Sequence, residues 1–174
     1  MGDAKKWHAL YTRQGREKKV SEILTRKKIE NYCPTHKVVR PWIDLKKPFS
    51  EPLFTSYVFV RITADKIPDL RQIDGVLNFV YWLDQPAVIS HPEIEAIKQL
   101  LAEYPTVKLE RIDINAKYTI DAPESLLIKT DGNASEAKNR TVKAILPSIG
   151  YLLVGGAEAN REPIFLQITE AQAG

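Results

Sequence analysis

The sequence predicts an α+β fold: an α/β sandwich, with a mixed sheet flanked by helices, followed by a small β-barrel. Two observations predict this fold. Through residues 5–103, apolar and aromatic runs typical of strands are interspersed with patterns of helical period. Beyond Pro105, short β-rich runs are separated by turn residues, as in small barrels. A chain of 174 residues has room for both parts.

The first elements are a strand and an amphipathic helix. WHALYT, residues 7–12, is an apolar-aromatic run that predicts a strand, and Gly15 ends it. Residues 16–30 place Val20, Ile23 and Leu24 close to helical spacing with charges on the other face, so they predict a helix that lies on the sheet.

The next elements are a projecting segment, a strand, a short helix and another strand. Residues 35–52 are basic and contain three prolines, which predicts an extended hairpin or a long loop. SYVFVRI, residues 56–62, alternates around Val58 and Val60 and is the strongest strand in the sequence. A short helix at about 66–72 and a strand over VLNFVYWL, residues 76–83, follow it.

The last predicted helix starts at a capping box. Ser90 is a suitable N-cap, and Glu93 follows it by three residues. Ile94, Ile97 and Leu100 form the apolar stripe of this helix. The predicted domains are therefore residues 5–103 and 111–174, joined by a linker over 104–110. Five strands are predicted near or within the second domain: KYTI, SLLIKT, RTVKAIL, YLLVGG and PIFLQIT.

Charge is distributed unevenly along the chain. Residues 1–47 carry 13 lysines and arginines against 5 acidic residues, whereas residues 48–103 carry 4 against 8. Residues 104–174 carry 8 against 9. This distribution predicts one cationic face, which either binds a polyanion or is a solvated surface.

Several protein classes are excluded or disfavoured. No apolar run approaches the length of a membrane-spanning helix, and residues 1–10 lack the apolar segment of a secretory signal. Cys33 is the sole cysteine, which rules out an internal disulfide and a multi-thiolate metal site, and we interpret it as a small buried hydrophobic residue. We expect a cytoplasmic protein.

No residue pattern points to catalysis. His8, His36 and His91 have no metal-ligand spacing, and Gly155-Gly156 lacks the lysine of a phosphate-binding loop. We interpret His8 as structural or surface-exposed and His91 as a capping or solvent-facing residue. The sequence therefore predicts no catalytic residue, no metal, no cofactor and no enzyme.

Two groups of residues suggest binding instead. Arg13, Gln14 and Arg16 surround Gly15, and arginine and glutamine side chains are suited to phosphates and base edges. Aromatic residues form the second group, on strands expected to be neighbours. Alternation points some of them into the core, and the others would form an apolar patch that docks a partner's helices. They are Tyr11, Phe54, Tyr57, Phe59, Tyr81 and Trp82.

These segments also resemble a known family. WHALYTRQGREKKV, YCP, SEPLFTSYVFVRI, GVLNFVYW and PAVIS are similar, in this order, to the N-terminal (NGN) domain of NusG-family transcription elongation factors. Thr55-Ser56 stands where the family has Pro-Gly, and this departure resembles the specialised paralogues of the RfaH and UpxY kind. PSIGYLLV resembles the distal part of the SH3-like KOW barrel of such proteins, with DGNASEAKNR in place of the usual Gly-rich turn.

The resemblance implies partners and sites. It implies an apolar surface that binds the clamp helices of RNA polymerase's largest subunit, which suppresses pausing and termination. The matching positions are Tyr11, Phe54, Tyr57, Phe59, Trp82, Ile94 and Ile97. It also implies contacts with the non-template DNA strand. The positions for these are Arg13, Gln14, Arg16, Lys19 and Arg71.

The function expected from the resemblance is operon-specific antitermination, with polysaccharide-synthesis operons as candidate targets. A contact between the C-terminal barrel and a small-subunit ribosomal protein is left open. One alternative is a general NusG-like elongation factor. Another is a non-enzymatic adaptor that binds RNA or ribosomes, although the near-neutral charge of residues 104–174 disfavours it.

Overall fold

The computed structural model describes residues 3–38, 49–104, 107–111, 127–130 and 141–156. The N-terminal strands and helices are β1 Lys6–Thr12, α1 Glu17–Arg26, β2 Asn31–Tyr32, β3 Thr35–Val38, β4 Phe49–Pro52, β5 Tyr57–Ile62, α2 Ile67–Arg71, β6 Val76–Phe79, β7 Tyr81–Trp82, β8 Gln85–Pro86 and α3 His91–Glu103. The C-terminal strands are β9 Val107–Arg111, β10 Leu127–Thr130, β11 Thr141–Leu146 and β12 Tyr151–Gly156. No helix in these ranges is long and apolar enough to span a membrane.

The first sheet has the strand order β2-β5-β1-β6. Each of its strand pairs is antiparallel, so the predicted mixed sheet is wrong. The physical reason is that α1 returns the chain so that β2 runs in the same direction as β1 but is not its neighbour, and β5 lies between them, antiparallel to both. The β3–β4 hairpin confirms the extended segment predicted over residues 35–52, whose residues 39–48 lie outside the described ranges.

Helices cover both faces of this sheet. On one face, Leu10 and Val58 pack with Val20 of α1 and Leu70 of α2. On the other face, residues that alternate with these, such as Ala9 and Phe59, pack with α3. Because alternate residues of β1 and β5 point to opposite faces, the same two strands supply both cores.

Two element boundaries differ from the prediction. The helix predicted over 16–30 ends at Arg26, because Lys28 adopts a left-handed conformation with φ of 58°. The strand predicted over 76–83 is divided into β6 and β7. Its break is at Val80, whose N–H donates to the carbonyl of Ala9 at 2.9 Å.

The C-terminal segment forms a second antiparallel sheet, of order β10-β11-β12-β9. Three of its strands fall on the predicted runs SLLIKT, RTVKAIL and YLLVGG. The fourth, β9, comprises residues 107–111 and so includes four residues of the predicted linker. The predicted runs KYTI and PIFLQIT and the loop DGNASEAKNR lie outside the described residues. Within the described ranges the strands form an open sheet, and no closed barrel is shown.

The second sheet packs directly on the first part of the protein. Leu146 and Leu153 share one buried cluster with Ile94 and Ile97 of α3. Gly155 allows an especially close contact, since a Cβ atom at this position would lie 2.8 Å from the Tyr104 ring. Helix α3 is therefore covered by a sheet on each side.

Candidate functional site

The aromatic groove is an apolar concavity of about 680 Å³ on the α3 side of the first sheet. One wall is formed by residues of the first sheet, the β7–β8 hairpin and the segments beside them: Ala9, Phe54, Tyr57, Phe59, Val80, Tyr81, Trp82, Ala87 and Val88. Its other wall consists of residues 147–151, which connect β11 to β12 and begin β12. The groove therefore lies where the first sheet meets the second.

Strand register brings the groove's rings together. Tyr11 lies opposite Tyr57 in the β1–β5 pair, with ring centroids 5.8 Å apart. Phe54 packs edge-on against Phe59 at 5.4 Å and against Tyr151 of the second sheet at 5.7 Å. Burial raises the pKa of Tyr57, and the neighbouring Tyr151 and Tyr11 hydroxyls raise it further. The second sheet thus contributes to the environment of the predicted polymerase-binding residues.

The seven predicted polymerase-binding residues differ in exposure. Tyr11 and Trp82 are exposed, and Tyr57 is partly buried. The other four are buried in the core between the two sheets: Phe54, Phe59, Ile94 and Ile97. In this arrangement a partner can reach Tyr11, Trp82 and the exposed part of Tyr57, but not the four buried side chains.

A tight hairpin presents the most exposed apolar side chains. Strands β7 and β8 pair through a two-residue turn in which Leu83 and Asp84 have φ of 48° and 61°. Two positive φ values are the signature of a type I′ turn, which is unfavourable for a bulky residue such as leucine. Trp82 is 73% exposed and Leu83 is 82% exposed. We call Trp82 and Leu83 the hairpin tip, and sequence analysis missed Leu83.

The carboxylate of Glu93 joins the two parts of the protein. Glu93 is 1% exposed and accepts hydrogen bonds from the Ser90 N–H at 3.0 Å and the Ser90 hydroxyl at 2.6 Å, which confirms the predicted capping box. It also accepts the Ser148 N–H at 2.8 Å and the Ser148 hydroxyl. Sequence analysis found the cap but not the contact with Ser148. Glu93 and Ser148 are 55 residues apart in the sequence, so no local pattern indicates their contact.

A second buried carboxylate orders the loop before β5. Glu17 is buried at the start of α1, and its Oε1 accepts the N–H of Ser56 at 2.7 Å. Ser56 has φ of 67°, in the left-handed region, and its carbonyl accepts the Thr12 N–H at 2.8 Å. Glu17 thereby fixes the backbone that precedes Tyr57 and connects it to the end of β1.

Arg13, Gln14 and Arg16 lie together in one exposed turn, which we call the basic turn. The Arg16 N–H donates to the Arg13 carbonyl at 3.0 Å, and Gly15 has φ of 80°, as this tight turn requires. The Arg13 N–H donates to the Gly75 carbonyl at 2.9 Å, which attaches the turn to the start of β6. Three of the five predicted DNA-binding residues are thus adjacent.

The other two predicted DNA-binding residues lie outside the basic turn. Lys19 is exposed on the first turn of α1. Arg71 ends α2, and its guanidinium lies 5.6 Å from the centre of the Tyr81 ring. This cation–π contact places Arg71 beside a residue that lines the aromatic groove.

The histidines and the cysteine have structural surroundings. His8 is buried, and burial lowers its pKa, while its Nδ1 lies 3.0 Å from the Ala87 carbonyl oxygen. His91 Nδ1 accepts a hydrogen bond from Trp7 Nε1 at 3.2 Å. Burial raises the pKa of the Cys33 thiol to about 11, so it is protonated at neutral pH. No group of three or more metal-ligating side chains occurs among the residues that the structure describes.

Comparison with known proteins identifies a family. The family model described as "Transcription termination factor nusG" matches residues 5–98, which is more than half of the chain. No curated protein sequence matches the chain. A solved structure described as "Domain interaction in Thermotoga maritima NusG" is 19% identical, covers 89% of this chain and 95% of its own, and aligns with a TM-score of 0.47.

Proposed function

This chain belongs to the NusG family of transcription factors, whose members bind RNA polymerase, and we propose that it is an operon-specific antitermination factor. In this proposal it binds the clamp helices of the polymerase through the aromatic groove and the hairpin tip. It contacts the non-template DNA strand through the basic turn. Because the protein binds the closed clamp in preference to the open one, it stabilises the closed state by the difference between the two binding free energies. Pausing and termination therefore decrease.

The observation that carries the polymerase-binding proposal is the hairpin tip. Trp82 lines the apolar groove, and both Trp82 and the adjacent Leu83 expose large apolar surfaces. Leu83 does so in a left-handed conformation, and strained backbone is concentrated at functional sites. Neither feature benefits the folded protein in isolation, because an exposed apolar side chain gains nothing until a partner covers it. A pair of amphipathic helices has the apolar stripe that such a surface requires.

The arrangement of the second sheet suggests how docking is controlled. Phe54 and Phe59 contact a partner only if residues 147–151 move away from the groove. The hairpin tip remains accessible while the second sheet is docked. We therefore propose that the tip makes the first contact with the polymerase, and that displacement of the second sheet then exposes the rest of the groove.

The basic turn supports the DNA-binding part of the proposal. Its three polar side chains are exposed and are carried by a backbone that is anchored at Gly75. Arginine offers planar paired donors to phosphates and guanine, and glutamine offers a donor and an acceptor to adenine. A rigid turn loses little entropy when it binds, which favours selective recognition of a strand.

Affinity for the polymerase tests the first part of the proposal. We expect Trp82→Ala to weaken binding of the full chain to core RNA polymerase by at least about tenfold, since a large aromatic contact is worth more than about 1.4 kcal/mol. Leu77→Ala is the matched control, because Leu77 is also exposed and apolar but does not line the groove. Equal binding by the Trp82→Ala variant and the wild-type protein would exclude docking through the tip.

Templates with and without a recruitment element separate the operon-specific function from that of a general NusG-like factor. An operon-specific factor suppresses pausing only on the template that carries its element, and Arg13→Ala/Arg16→Ala abolishes that effect. A general factor acts equally on both templates. An RNA- or ribosome-binding adaptor has no effect on either.

A further inference from the structure

A second groove, which we call the lysine groove, lies on the face of the first sheet opposite to the aromatic groove. It has a volume of about 900 Å³ and is bounded by the end of α1, the end of β5 and helix α2. Its floor is apolar and its rim is charged. The rim cations are Lys5, Lys27, Lys28, Arg61 and Lys66, and the rim acids are Glu30, Asp69 and Asp74.

The acids of the rim neutralise only part of its positive charge. Glu30 lies 3.5 Å from Arg61, and Asp69 lies 3.9 Å from Lys66. Lys5, Lys27 and Lys28 form no ion pair with any residue that the structure describes. Three exposed ammonium groups therefore border the groove.

The lysine groove continues the surface of the basic turn. Arg16, Lys19 and Arg26 are exposed and follow helical spacing, so these cations line one side of α1 as far as Lys27, which lies about 16 Å from Arg16 at 1.5 Å per residue. Arg16 lies against Gly75, where an added Cβ would be 3.3 Å from the Arg16 Cβ. The preceding residues Ile73 and Asp74 line the groove. The cations of α1 therefore connect the two surfaces, while the adjacent α2–β6 connection contributes the acidic Asp74 and the largely buried Ile73.

The composition of the lysine groove indicates the chemistry of its ligand. Its floor contains Ile23, Ile62 and Leu70 but no aromatic side chain on which a base could stack. Lysine acts as a point charge toward phosphate and does not read base edges with the paired geometry of arginine. The groove is thus suited to a sugar-phosphate backbone, whatever its base sequence.

We propose that the lysine groove is a second phosphate-binding site, which extends the path of a nucleic acid from the basic turn along α1 to Lys27 and Lys28. The proposal rests on the proposed contact of the basic turn with DNA. It adds a contact that is independent of sequence, whereas the basic turn supplies the selective one. Longer nucleic acids therefore bind more tightly than those that reach only the basic turn.

Salt dependence of oligonucleotide binding tests the proposal. Fluorescence anisotropy of the full chain is measured with labelled oligothymidines of about 6 and about 18 nucleotides and with a duplex of about 18 base pairs. Salt is varied from about 50 to about 200 mM. On the longer single strand, we expect Lys27→Gln/Lys28→Gln to reduce the slope of log affinity against log salt by about 1.4, since each lost phosphate contact accounts for about 0.7. On the duplex the expected reduction is about 1.8.

The short oligonucleotide and a second variant serve as controls. Binding of the short oligothymidine is expected to be unchanged in Lys27→Gln/Lys28→Gln. Lys98→Gln/Arg111→Gln removes the same charge from α3 and β9, away from both cationic surfaces, and is expected to leave every slope unchanged. If Lys27→Gln/Lys28→Gln reduces the salt slope for only one of the two long ligands, that ligand is the nucleic acid that follows the groove.

Two results would overturn the proposal. The first is an unchanged slope with both long ligands. If Arg13→Ala/Arg16→Ala still weakens binding in that case, the basic turn binds DNA and only the extension is wrong. The second is unchanged oligonucleotide binding together with loss of affinity for RNA polymerase, which would mean that the groove binds an acidic protein surface.

Discussion

Replacing Glu93 by alanine tests how the second sheet is held against α3. The substitution removes the acceptor for two backbone donors, the N–H groups of Ser90 and Ser148. Ser90 and Ser148 are exposed and their bonds to Glu93 are only partly buried, so water replaces part of the lost acceptor, and we expect Glu93→Ala to lower the free energy of unfolding by about 1–3 kcal/mol.

The share of the Ser148 hydroxyl in the contact between the two parts is isolated by a double-mutant cycle with Ser148→Ala, which keeps the Ser148 N–H. We expect a coupling energy of about 0.5–3 kcal/mol, measured by urea denaturation with tryptophan fluorescence as the probe. Glu95→Ala is the matched control, since Glu95 is exposed on the same helix and pairs with Lys98 at 3.1 Å, an ion pair worth about 0–1 kcal/mol. A cost for Glu93→Ala no larger than that for Glu95→Ala would refute this account.

Three further predictions concern single residues. Burial lowers the pKa of His8, so its contribution to stability is complete above pH 6.5 and is lost as the pH falls through the pKa of the folded state. His8→Gln should therefore lessen the acid destabilisation that urea titrations measure, and an unchanged pH profile would contradict this. The Cys33 thiol, whose pKa is about 11, should react with iodoacetamide in native protein at pH 8 far more slowly than after unfolding, and equal rates would be inconsistent with its burial. Gly75→Ala should lower the free energy of unfolding by about 1–3 kcal/mol, since φ is 92° and the new Cβ would lie 3.0 Å from Val20 Cγ2. A shift in the urea midpoint equivalent to less than about 0.5 kcal/mol would show that the substitution causes no such strain.

Local patterns were sufficient to predict the main strands and helices. Alternation around Val58 and Val60 identified β5, and the pair Ser90 and Glu93 identified the start of α3. These signals are short-range, because a strand alternates with a period of two and a cap spans three residues. The β7–β8 hairpin escaped prediction because Leu83-Asp84 is not among the Asn-Gly or Asp-Gly pairs that signal a type I′ turn.

The candidate site was harder to predict than the fold. The sequence identified the aromatic residues as a group, but it gave no information about what covers each one. Phe59 is buried beneath the second sheet and Trp82 is exposed, although both belong to the predicted polymerase-binding set. The difference arises from contacts between residues far apart in the chain, such as Phe54 with Tyr151. The partly charged rim of the lysine groove is likewise assembled from four separate segments.

Single-round transcription by RNA polymerase over an intrinsic terminator is the most direct test of the proposed function. The template carries the recruitment element, and read-through is compared among the wild-type protein, Trp82→Ala and the control Leu77→Ala. If the hairpin tip binds the polymerase, the wild-type protein and Leu77→Ala increase read-through and Trp82→Ala does not. Read-through that is unaffected by the wild-type protein, or increased equally by Trp82→Ala, would contradict it.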